Sequence, residues 1–263
     1  MHSIIDLDWN GPPTQLEIAW VGSQDPSAPV MVFLHEGLGS VSLWRDYPDQ
    51  LCKQLNMRGL VYSRPGYGKS TARKPHEEWG VDFMHQQARE VLPALLKQLQ
   101  IQQPWLFGHS DGASIALLYA AHFPQLLAGA IVLAPHIMVE DISISSIQAA
   151  RIAYEEQGLR ERLARHHHDP DSAFYGWNGI WLDPAFRTWD ITAELASIQC
   201  PLLAVQGVED EYGSMQQIRG IRDQVPHTTL LELAACGHSP HKDQPLALSK
   251  TVIAFVVSHT AQH

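Results

Sequence analysis

PWLFGHSDGASIALLY, residues Pro104 to Tyr119, is the stretch whose reading decides the fold. An apolar run, Trp105 to Phe107, enters a turn with the pattern G-x-S-x-G, Gly108 to Gly112. It leaves through small and apolar residues, Ala113 to Leu118, that suit a buried helix. Strand, tight turn and helix in this order lift a serine onto a strained turn, and the two glycines keep side chains out of crowded backbone positions. Ser110 is therefore the candidate nucleophile. The helix that follows aims its first N–H groups, the positive end of its dipole, at negative charge forming beside Ser110. A glycine-flanked serine in an ordinary turn is the plainer alternative, and partners elsewhere in the chain decide between the two.

Upstream, Val30-Met31-Val32-Phe33-Leu34 is a continuous apolar run, as expected of a strand covered on both faces. It runs directly into the glycine-bearing loop His35-Glu36-Gly37-Leu38-Gly39-Ser40. Gln15 to Val21 alternates polar and apolar residues, which predicts a half-buried edge strand. A helix is expected over Trp44 to Leu55 and a short strand over Leu60 to Tyr62. Met84 to Leu99 has helical spacing interrupted by Pro93, which should kink or break the helix. Downstream, Ala130 to Ala134, Pro201 to Gln206 and Thr228 to Leu233 read as strands, with helices around Ser214 to Asp223 and Gln244 to Val257. Alternation of strand and helix predicts an α/β fold with a mostly parallel central sheet flanked by helices.

Between residues 141 and 196 this alternation stops. The segment is helical in tendency around Ile147 to Ala164 and then gathers Phe174, Tyr175, Trp177, Trp181, Phe186 and Trp189. An inserted helical cap over 141–196, on a core formed by 1–140 and 197–263, accounts for that aromatic density; a satellite core under a long connection is the alternative. The cap would supply Trp177 and Trp181 to a substrate pocket.

In a parallel sheet the loops at the carboxyl ends of the strands gather on one edge. Gly207-Val208-Glu209-Asp210-Glu211 follows one late strand, and Cys236-Gly237-His238-Ser239-Pro240-His241 follows the next. Ser110, an acid near 210 and a histidine near 238 would therefore meet, in the chain order serine, acid, histidine. Each feature alone is commonplace; three separate loops supplying three complementary groups are much less so.

The chain has 18 Lys and Arg against 28 Asp and Glu, for a formal charge of −10, and no basic block, so attraction to nucleic acid is unsupported. The first residues, MHSIIDLDWNGPP, lack a basic segment followed by a long apolar stretch. No apolar run approaches the roughly 20 residues of a membrane helix, so a cytoplasmic chain without a membrane partner is expected. Cys52, Cys200 and Cys236 are odd in number and scattered, which fits reduced thiols. The consecutive His166, His167 and His168 would diverge in direction and have no distant ligand paired by spacing, so no metal site is assigned.

With HEGLGS, SRPGYGKS, GHSDG, GVED and GHSPHKDQP in place over nearly its whole length, the chain resembles the α/β-hydrolase superfamily. The resemblance implies Ser110 as nucleophile, Asp210 as acid, His238 as base, no cofactor and a small-molecule substrate. It implies the N–H of Asp111 as one oxyanion donor and that of Gly37 or Leu38 as the other. Glu36 departs from the family's usual His-Gly, and either a structural role, paired to Arg64 or to backbone N–H groups, or a proton-carrying role would follow. Glu36 and His109 are expected to border the pocket. A small, mainly apolar ester or lactone is the expected substrate ahead of thioesters, because residues 141–196 hold five Arg and no Lys against nine Asp and Glu. Carbon–carbon bond hydrolysis or lysis on the same triad, or ligand reception without turnover, are the competing readings.

Overall fold

The computed structural model describes residues 2–74 and 76–260. Its centre is one eight-stranded sheet in the order β1-β2-β4-β3-β5-β6-β7-β8. The strands are β1 (His2–Asp6), β2 (Gln15–Gly22), β3 (Val30–Leu34), β4 (Arg58–Tyr62), β5 (Trp105–His109), β6 (Gly129–Leu133), β7 (Leu202–Gly207) and β8 (Thr229–Leu233). From β4 to β8 every neighbouring pair is parallel, while β2 is antiparallel to both β1 and β4. The central strands carry Val, Ile, Leu and Phe on both faces because helices cover both, and β5 and β6 are buried at every position. Two apolar layers result, one on each side of the sheet.

The helices are α1 (Tyr47–Leu55), α2 (Phe83–Gln86), α3 (Leu92–Gln98), α4 (Asp111–His122), α5 (Asp141–Glu156), α6 (Leu159–Leu163), α7 (Pro170–Leu182), α8 (Gln216–Gln224), α9 (Pro240–Asp243) and α10 (Pro245–Thr260). Helix α4 is buried from Asp111 to Ala121, which is why its sequence is apolar all round. Helices α5 to α7, with two 3₁₀ turns, occupy the chain between β6 and β7.

Three expectations need adjustment. Strand β2 is interior, because the exposed β1 pairs along it in register from His2↔Ala19 to Asp6↔Gln15. The segment around Pro93 holds together as α2, a π-helical stretch Gln87–Val91 and α3, with Pro93 in the first turn of α3. Proline lacks an N–H, and the wider π turn absorbs the missing bond. The helix expected from Trp44 begins instead as a 3₁₀ turn, Val41–Trp44, and α1 starts at Tyr47.

The chain runs from β3 to β4 on one side of the sheet and places β5 on the other. The loops after β3 and β5 therefore flank the switch point, where crevices open in such sheets.

Candidate active site

Ser110 sits between β5 and α4 at φ 53°, ψ −122°, a conformation that non-glycine residues avoid. It is held there from both sides. Its N–H donates to the Leu133 carbonyl at 2.9 Å, and its carbonyl accepts from Ala113 N at 2.8 Å. A Cβ at Gly108 would lie 2.4 Å from the Gly112 carbonyl oxygen, and one at Gly112 would lie 2.2 Å from that of Leu34, so both flanks of the turn need glycine.

The loops after β7 and β8 bring Asp210 and His238 to this turn. His238 Nε2 is 2.9 Å from Ser110 Oγ, and its Nδ1 is 2.8 and 3.0 Å from the two Asp210 oxygens. A carboxylate accepts, so Nδ1 carries the hydrogen and Nε2 is left free to accept from the serine hydroxyl. Burial works to raise the Asp210 carboxyl, but the hydrogen bond and charge of His238 and the Tyr212 N–H at 2.8 Å outweigh it. The group is held below the usual carboxylate range.

A cavity of about 180 Å³ opens beside Ser110, walled in part by Gly37, Leu38, His136, Trp177, Trp181 and Tyr212. Two larger hollows, each about 590 Å³, lie elsewhere on the surface and do not touch Ser110, Asp210 or His238. Every expected pocket residue, Glu36, His109, Trp177 and Trp181, borders the small one. Of the oxyanion candidates, Asp111 opens α4, so its N–H has no intrahelical acceptor. The peptide joining Glu36 to Gly37 is fixed by its carbonyl, which accepts from His35 Nδ1 (2.7 Å), Arg64 Nη2 (2.9 Å) and Gly39 N (3.0 Å). In a trans peptide the N–H points opposite to the C=O, so the Gly37 N–H faces away from these three donors. Leu38 is fixed differently, through a carbonyl that accepts from His167 Nε2 at 3.0 Å.

Arg64 does not pair with the Glu36 carboxylate. It reaches the backbone carbonyl instead, and its guanidinium lies 3.8 Å from Asp111 Oδ2, both side chains being buried. The Glu36 carboxylate lies back toward Gly39, with His109 Nδ1 at 3.5 Å and Lys242 Nζ at 3.8 Å. Burial alone would raise this carboxyl, yet His109 and Lys242 hold it well below the usual carboxylate range. His109 in turn donates from Nε2 to the His238 carbonyl at 2.7 Å, tying the Ser110 turn to the His238 loop.

His136 and Tyr212 were absent from the sequence reading. The His136 ring lies 5.8 Å from that of His238, and burial, aided by the His238 charge, lowers its pKa to about 3, so it is a neutral wall. It follows β6 by three residues, and the rule that loops after parallel strands share one edge would have found it. His241 is packed under Trp44 and against His109, with burial keeping it neutral. Of the histidine run, His166 Nδ1 meets Ser42 Oγ at 2.9 Å, while His167 accepts from Gly68 N at 2.9 Å and donates to Leu38. Among the described residues, no group of three or more His, Cys, Asp or Glu is gathered to hold a metal. No helix among them is long and apolar enough to cross a membrane.

Residues 31–251 match the model of the alpha/beta hydrolase family. The chain is 27% identical over 259 residues to a protein of Pseudomonas savastanoi pv. phaseolicola named "Putative carbamate hydrolase RutD", an alignment that covers 90% of this chain and 97% of that one. Among solved structures it is similar to a carboxylesterase of Nitrososphaera gargenis (TM-score 0.78, 19% identity, 98% of this chain and 100% of the other). It is also similar to an enol-lactonase of Burkholderia xenovorans (TM-score 0.74, 18% identity, 95% and 98%). With that match spanning most of its length, over a sheet whose strand ends carry a serine turn, an acid and a histidine, the chain belongs to the alpha/beta hydrolase family and is a hydrolase enzyme.

Proposed function

We propose that this protein is a serine hydrolase that cleaves small carboxylic esters or lactones through an acyl-enzyme. The observation that carries the reading is the unbroken relay of 2.9 Å from Ser110 Oγ to His238 Nε2 and 2.8 Å from His238 Nδ1 to Asp210, opening on the cavity. His238 takes the Ser110 proton as Oγ attacks the acyl carbon, while Asp210 holds the ring in its tautomer and balances the charge it gains. The N–H groups of Asp111 and Gly37 receive the developing oxyanion; the anchoring of the Glu36 carbonyl favours Gly37 over Leu38 for this task. His238 passes its proton to the leaving oxygen, then activates water to release the acid. In this reading residues 141–196 are a cap that limits substrate size, since Ile147, Trp177 and Trp181 supply apolar wall to a small cavity.

Labelling with a fluorophosphonate probe, read by intact mass, followed by turnover of p-nitrophenyl esters from acetate to octanoate, tests the proposal. One adduct on Ser110 and faster turnover of short than of long esters are expected. An unlabelled, folded protein would overturn it.

A further inference from the structure

Trp177 carries a polar group that the reaction just described leaves without a role. It stands on α7, is 6% exposed and walls the cavity together with Ser110 and Gly37. The other indole of that wall, Trp181, directs its N–H to Asp111 Oδ1 at 3.2 Å. The Trp177 N–H has no such acceptor among the described residues. Nor does its nitrogen belong with those of Trp44 and Trp189, which are sealed from solvent without a partner. It is an open donor on the inner wall.

The face of this indole, beside its nitrogen, occupies the place of the side chain that Gly37 lacks. A Cβ built on Gly37 would meet Trp177 Nε1 at 2.1 Å, Cδ1 at 2.3 Å and Cε2 at 2.8 Å. The nitrogen is the nearest atom and Cδ1 is almost as near, so the ring lays its face over this position and its N–H runs alongside Gly37, across the direction a side chain would take. A Cβ lies about 2.5 Å from its own backbone nitrogen, which puts the Trp177 and Gly37 nitrogens within about 4.6 Å of each other. Donors so spaced can both reach one oxygen at about 2.9 Å.

We propose that the Trp177 indole N–H is a catalytic hydrogen-bond donor to the carbonyl oxygen of the substrate as it becomes an oxyanion, alongside the N–H groups of Gly37 and Asp111. The inference rests on the serine-hydrolase reading above. The indole keeps its proton throughout; it stabilises charge and transfers nothing. Because this donor comes from residues 141–196 and the other two from the sheet edge, the oxyanion site is complete only when the two parts are docked. Any ester or lactone of suitable size benefits equally, since every one develops the same oxygen charge.

Replacing Trp177 by 3-benzothienylalanine tests this, because sulfur takes the place of N–H within the same bicyclic outline. Expected is a fall in kcat of about 10- to 100-fold. That factor should be the same for acetate, butyrate and hexanoate esters, with KM unchanged within about twofold. Affinity for an aryl boronic acid, whose adduct on Ser110 mimics the oxyanion, should weaken in step with kcat. Trp177→Phe should add a KM change that grows with acyl length, because it also removes wall. Wild-type kcat in the benzothienyl variant overturns the inference alone, as does a loss confined to KM and long chains. Absence of both turnover and fluorophosphonate labelling in the wild type overturns the serine-hydrolase reading, and this inference with it.

Discussion

The sheet edge and the 141–196 segment face each other across one small cavity, and they are held by different forces. At the edge, polar groups are buried and interlocked: Asp210 with His238, Arg64 with Asp111 and Glu36 O, and His109 with His238 O. Such networks have one good geometry and are costly to leave half-satisfied. The segment instead coheres by aromatic packing, with Tyr154 stacked on Phe174 at 3.7 Å and Phe186 on Trp189 at 5.3 Å, while its Arg160–Asp171 pair faces solvent. Around the cavity it seats on the core through uncharged donors, Trp181 Nε1 to Asp111 and His167 Nε2 to Leu38, and at its far rim through Glu194, which meets Arg89 and His85 at 2.8 Å. The difference separates tasks: an edge suited to fixed chemistry, and a wall whose shape can change without disturbing it.

The sharpest way to break the comparison is to remove the proposed nucleophile. Ser110→Ala should lower ester kcat by a factor on the order of 10⁶, with Asp210→Asn close behind at roughly 10⁴. Both should leave the melting temperature near or above that of the wild type. Measurable turnover in purified, folded Ser110→Ala would move the chemistry to another group.

A second test weighs the edge's buried histidines. His136, with a pKa near 3, and His35 and His241, both depressed by burial, are neutral in the fold but would protonate near 6.5 when unfolded. The unfolded chain therefore binds more protons below that pH, so stability is complete above about 6.5 and falls with acidification. The loss approaches about 1.4 kcal/mol per pH unit for each histidine that stays neutral in the fold while the unfolded chain protonates it. Urea midpoints at pH 7.5, 6 and 5 measure it; a flat series would show that these rings accept protons without cost.

On the other side of the cavity, Trp181→Ala should cost about 3–5 kcal/mol, through the void and through an Asp111 carboxyl left without its donor. The widened cavity should also shift the ratio of kcat/KM toward longer acyl groups. Stability loss with unchanged chain-length preference would make Trp181 a strut of the segment and no part of the substrate's surroundings.

Smallest of all is Glu36→Gln. The carboxylate faces His109 and Lys242, so its loss should lower the melting temperature by a few degrees. It should change kcat less than about tenfold and preserve the shape of the pH–rate profile. Disappearance of one limb from that profile would make Glu36 a proton carrier.

What the sequence made legible follows the same division. The serine turn, the parallel sheet and the chain order of Ser110, Asp210 and His238 could be read because each depends on local turn chemistry or on one rule about strand ends. The Arg64–Asp111 contact could not, since it needs the lateral order of β4, β3 and β5, and sequence carries lateral order only weakly. For the same reason the partner of Glu36 was misplaced: Lys242 comes from α9, at the far end of the chain. Strand β1 escaped notice because five mostly exposed residues have no apolar stripe to reveal them. Trp177 and Trp181 were visible only as aromatic density; which indole N–H was engaged and which was open depended on tertiary placement.

The backbone at Ser110, with φ 53° and ψ −122°, is one that glycine adopts freely and serine does not. Ser110→Gly should therefore give a dead protein more stable than its parent by about 1–3 kcal/mol, the usual size of such strain. Natural selection acting on stability alone would favour glycine at 110. A lineage freed from the need for catalysis thus has an open path, one codon change long, toward a firmer and silent descendant. On the proposed mechanism, the serine marks a position where fitness and folding pull in opposite directions.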